Sequence, residues 1–116
     1  MNSNEKKKEI LGQYKEREII GGIYIIRNTV NNKLLLEAAT DLQSIKNRFE
    51  FAQTTGSCVY SKLRKDWSEH GSEAFFLEVV EELKRGSTQK DAEFKADVDF
   101  LKEIWFEKLS NSEELY

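Results

Sequence analysis

The 116-residue chain has no proline, one histidine and a single cysteine, Cys58. Without proline, its connections must be turned by Gly, Asn, Ser and Thr, as in a compact domain. One cysteine excludes an intrachain disulfide, and no set of Cys and His has the spacing of a zinc site. Such cysteine usage fits a reducing compartment, so a cytoplasmic location is expected. No apolar run approaches the roughly 18 residues that span a bilayer. The stretch from Met1 to Lys8 is basic but is not followed by an apolar core, so no secretory signal is expected.

What is present describes one soluble domain. Hydrophobic residues make up 39% and charged residues 34%, a balance that excludes a disordered chain. The net charge of −3 argues mildly against a nucleic-acid partner, but its distribution does not. Residues 21–72 carry seven Lys/Arg against five Asp/Glu, and residues 73–116 carry six against twelve. Lys46, Arg48, Lys62, Arg64 and Lys65 sit together in the middle of the chain, a candidate basic face for phosphate contact. The plain alternative is two solvated helix faces.

Residues 4–17 read as a polar helix with a thin apolar stripe (Ile10, Leu11, Tyr14). Ile23 to Ile26 is β-branched and aromatic, and Leu34 to Leu36 follows a turn at Asn31–Asn32, which predicts a hairpin. Thr40 and Gln43 have capping-box spacing, and Leu42, Ile45, Phe49 and Ala52 recur at helical period, with Gly56 as the stop. Ser57 is the expected cap of a second helix that turns Val59, Leu63 and Trp67 inward and ends at Gly71. Phe75 to Val80 is a nearly continuous apolar strand, expected at the sheet centre, and Lys84 to Thr88 is a loop. A long helix over 89–109 carries Phe94, Val98, Leu101, Trp105 and Leu109 on one side. These elements predict an α/β fold: a small, three-stranded, mainly antiparallel sheet flanked by helices. Residues 1–20 would be an N-terminal polar helix or extension, 21–110 the domain, and 111–116 a flexible tail. Trp67 and Trp105 read as core anchors, His70 as a C-terminal helix cap, and Cys58 as an idle thiol.

Gly22-Ile23-Tyr24, Asn31-Asn32-Lys33 before the second strand, Leu63 through Gly71, Ala74 through Val79, and the Trp-bearing last helix occur in an order that resembles the GIY-YIG nuclease family, as a bacterial, degenerate member. The resemblance covers about Gly21 to Leu109. It implies metal-assisted phosphodiester hydrolysis. A first-motif tyrosine acts as base toward water, a second tyrosine and an arginine stabilise the phosphate, and a glutamate on the last helix holds one divalent cation. Carried over residue by residue, only the first tyrosine survives, as Tyr24. The second motif reads Leu35-Leu36-Glu37, the arginine position is Ile45, a frequent histidine is Phe49, and the metal glutamate is Lys102.

The expectation is therefore a domain with most catalytic residues replaced: a non-catalytic module binding DNA or a protein partner. No cofactor is expected unless the domain is active. The alternative is a metal-dependent DNA endonuclease working through repositioned residues. In that case Tyr24 and Arg48 would be catalytic, and Glu37 and Glu103 would hold Mg²⁺ or Mn²⁺.

Overall fold

A computed structural model describes residues 19–116; the helix expected over 4–17 lies outside the described residues. Three strands form one antiparallel sheet. β1 (Ile20–Asn28) lies between β2 (Leu34–Ala39) and β3 (Phe75–Lys84). Three helices cover it: α1 (Leu42–Thr55), α2 (Arg64–His70) and α3 (Asp91–Ser110).

β1 is buried along nearly its whole length because both of its faces and both of its edges are covered. Its alternate residues serve two cores, as a strand's period of two requires. Tyr24 and Ile26 join Leu35, Phe49, Leu63, Trp67 and Phe75 on the α1/α2 side. Ile23 and Ile25 join Leu34 and Leu36, packed by Leu101, Trp105 and Leu109 of α3. Trp67 anchors the first core: it stacks on Phe75 at 5.0 Å, meets Phe49 edge-on at 6.1 Å, and donates its indole N–H to the Gly56 carbonyl. Trp105 is only half-buried, with its N–H donated to Glu81 at 2.6 Å.

Gly22 is conformationally required. Its φ is +153°, and a Cβ there would lie 2.0 Å from the Glu81 carbonyl oxygen. This is where the β1–β3 register shifts and Val80 bulges out of the ladder.

Several local expectations change. The hairpin turn is as expected, with Asn32 at φ 62°. α1 is capped by Asp41 rather than Thr40: the Asp41 carboxylate accepts from the Ser44 N–H, an anion at the positive helix end. Gly56 in the left-handed region ends it. The second helical segment starts with a tight turn at Ser61–Leu63, later than a Ser57 cap requires, so Val59 is 48% exposed in a loop instead of inward.

β3 lies at the sheet edge, not at the centre, and runs on to Lys84. Phe75, Leu77, Val79 and Val80 pack into the two cores, while Phe76 stays exposed. Residues 111–116, expected as a flexible tail, are docked. Leu115 bridges Leu34 in parallel, and the Tyr116 hydroxyl donates to Asp66 at 2.6 Å. No helix among the described residues is long and apolar enough to cross a membrane.

Candidate functional site

The site begins at the pairing of β1 with β2, which puts Tyr24 directly opposite Glu37. Opposed residues project to the same sheet face, here the one under α1. The Tyr24 ring is buried at 3% exposure, and its hydroxyl lies 3.1 Å from that of Tyr60, supplied by the loop between α1 and α2. Burial raises the Tyr24 hydroxyl far above the ordinary phenol range, and the bond to Tyr60 and the charge of Glu37 push the same way. The Arg48 guanidinium acts in the opposite sense, too weakly to reverse it. Tyr60 is raised too, again mainly by burial. A phenol held neutral in this way donates hydrogen bonds readily but is a poor base at neutral pH.

Glu37 is not free to hold a cation, because the Lys102 ammonium reaches across from α3 to within 3.5 Å of its carboxylate. Glu103, one residue on and therefore about 100° around the helix, is exposed and forms no ion pair with any described residue. The two acids expected as metal ligands are thus not brought together. The family's divalent cation does not fit these residues: where the resemblance calls for a glutamate on the last helix, an ammonium satisfies the remaining carboxylate.

Beside this group lies a cleft of about 380 Å³, lined by Ala39, Asp41, Ile45, Arg48, Lys95 and Val98 among others. Lys95 is paired with Asp99 at 2.8 Å, whereas Arg48 makes no ion pair among the described residues. Ile45 and Phe49 stand where the resemblance called for an arginine and a histidine. Phe49 is core and Ile45 packs against it, so this wall is apolar.

The five basic residues do not form one face. Lys46 lines a separate groove against β3, Arg48 lines the cleft, and Arg64 lines a third depression beside Cys58 and Trp67. Two residues apart on a helix means about 200° apart around it, which separates Lys46 from Arg48. Lys62, in the tight turn before α2, and Lys65, in the first turn of α2, are both exposed. Cys58 is half-buried, with its Sγ 3.2 Å from the Tyr60 carbonyl.

Two residues were missed by sequence reasoning. Tyr60 falls in a loop and carries no periodic or motif signal. Lys102 was noted only as a loss, yet it is the partner that fixes Glu37. Asp66, Glu69 and His70 are the one cluster of potential metal ligands among the described residues, but Asp66 is already engaged by Tyr116, Asn28 and Asn31.

No protein-family model and no curated protein matches the chain. Among solved structures, the catalytic domain of intron endonuclease I-TevI, in a glutamate-to-alanine mutant, is 25% identical, with a TM-score of 0.58 over 79% of this chain and 86% of that one. A second structure, the catalytic domain of homing endonuclease I-TevI, is 24% identical, with a TM-score of 0.51 over 82% of this chain and 96% of that one. Strand order, helix placement and these likenesses agree: the chain has the fold of a GIY-YIG endonuclease-like domain.

Proposed function

We propose that this chain is a non-catalytic GIY-YIG-like module that binds DNA through its backbone phosphates. The observation carrying the reading is the Lys102–Glu37 pair, which puts a cation where a nuclease of this fold would need an acid. The nuclease-like fold supports the nucleic-acid partner. Arg48 supports the mode of contact, as a cation without an ion-pair partner among the described residues, beside two hydroxyls that stay protonated.

Two assays on purified protein decide this reading. Supercoiled plasmid should remain uncut with Mg²⁺ or Mn²⁺, as in the EDTA control. Duplex DNA should bind in a fluorescence anisotropy titration, more weakly for Arg48→Ala. If all five basic residues met phosphates, the log–log salt slope would be about −4.5; because they lie on separate surfaces, the expected slope is nearer about −2. No binding at low salt sinks the proposal.

One observation favours a second reading, an active endonuclease with repositioned residues. Tyr60 returns a hydroxyl to the side of Tyr24, where the second motif has lost its own. Nicking that Tyr24→Phe or Tyr60→Phe abolishes would establish it.

A further inference from the structure

The dispersed basic residues differ in what stands around them. Lys46 faces a groove whose other walls are the apolar Phe49, Phe76, Leu77 and Val79. Its one other polar side chain, Gln53, already donates its amide to the Ser72 and Phe75 carbonyls. Lys62 and Lys65 line none of the three depressions.

Arg64 has a different setting. It lines a depression of about 600 Å³ at the C-terminal end of α1, with Ser57, Cys58, Trp67, Ser68 and Ser72. No carboxylate belongs to this lining, whereas Asp41 and Asp99 stand in the cleft with Arg48. Arg64 makes no ion pair and no hydrogen bond among the described residues, and the Ser57 and Ser68 hydroxyls are equally uncommitted. A guanidinium fork beside hydroxyl donors can hold one phosphate by several bonds at once.

A helix C-terminus ordinarily repels an anion, because its last carbonyls lack partners. Here two carbonyls at the end of α1 are taken. The Gln53 carbonyl accepts from the Ser72 hydroxyl at 3.2 Å, and the Gly56 carbonyl accepts from the Trp67 indole at 3.1 Å. Ser72 thus removes a repulsion, and Arg64, Ser57 and Ser68 remain as donors.

Along α1, Arg48 and Gly56 are separated by about 12 Å. Phosphates of one strand succeed each other at about 3.4 Å along a duplex, so the two depressions lie about three or four phosphates apart. One short duplex can reach both.

We infer that the Arg64 depression is a second phosphate-binding site, taking one backbone phosphate of the nucleic acid that also meets Arg48. This rests on the DNA reading and identifies the second of the two contacts that its salt slope implies.

The test is the anisotropy titration of the full chain with labelled duplex, repeated over a series of salt concentrations. Arg64→Gln should weaken binding at low salt about tenfold and bring the log–log slope from about −2 to about −1, equally for unrelated sequences. Arg64→Lys keeps the charge but loses the fork, so it should weaken binding with the slope unchanged. Lys46→Gln and Lys62→Gln should leave the slope at its parent value. Arg64 is exposed, and a merely structural role would not move the slope.

An Arg64→Gln slope equal to the parent's, with the Arg48→Ala slope reduced, overturns this inference alone. An equal reduction in Lys46→Gln and Lys62→Gln means diffuse attraction without a site and overturns it as well. Failure to bind any duplex at low salt removes both this inference and the DNA reading.

Discussion

Glu37 on β2 and Lys102 on α3 meet at 3.5 Å, an ion pair that ties the sheet to its longest helix. Both side chains are about a third exposed, so solvent screens the attraction. Lys102→Ala should therefore cost only about 0–1 kcal/mol in a urea titration. Lys102→Glu is the informative change, because it sets a second carboxylate beside Glu37. Calorimetric titration with Mn²⁺ should detect binding to this variant and none to the parent; binding to both would contradict the assigned role of Lys102.

Tyr24 and Tyr60 share a hydrogen bond whose loss in Tyr24→Phe should cost about 0.5–1.5 kcal/mol. Both phenols ionise at higher pH in the folded chain than when unfolded. The folded state therefore holds its protons longer. That contribution is complete below about pH 10, the ordinary phenol value, and falls as pH rises toward the folded values. Urea midpoints for the parent should drop above about pH 10, with a smaller drop in Tyr24→Phe; absorbance near 295 nm should show late ionisation of three of the four tyrosines, Tyr24, Tyr60 and Tyr116.

Asp66 behaves in the opposite sense. Its carboxylate accepts from Tyr116, Asn31 and Asn28, and these bonds, led by that of Tyr116, hold it below the usual carboxylate range. The unfolded chain takes up this proton first, so the contribution is present above about pH 4 and lost as pH falls through the folded value. Tyr116→Phe should lower the urea midpoint at pH 7 and have less effect in acid. An effect equal at both pH values would mean that the bond to Asp66 is not what holds the tail.

Gly22→Ala should destabilise the domain by about 3 kcal/mol or more, since the new methyl meets the Glu81 carbonyl and the backbone conformation is strained. A melting temperature within a few degrees of the parent would contradict the close approach of β1 and β3 at the bulge. The glycine of the first motif thus has a structural reason here that needs no catalysis.

Much of the fold was legible because its signals are local. The hairpin follows from Asn31–Asn32 and its flanking β-branched runs, α1 from its periodicity, and helix ends from Gly56 and Gly71. The position of β3 was not legible. A run such as Phe75 to Val80 reads the same whether neighbouring strands or helices bury it, and here helices flank it. The site was half legible. The spacing of the first motif exposed Tyr24 and the lost positions, but Tyr60 reaches Tyr24 across 36 residues through a loop, and no pattern announces that. The basic cluster misled because closeness in sequence is not closeness around a helix: Lys46 and Arg48 turn away from each other.

The bridge from Leu115 to Leu34 has a consequence for assembly. In the language of polymerisation, a sheet with two open sides is a bifunctional monomer and grows without limit. The tail's two backbone bonds to Leu34 occupy the start of the outer side of β2, so a strand added there has to displace residues 114–116 first: the molecule carries its own competitor for that position.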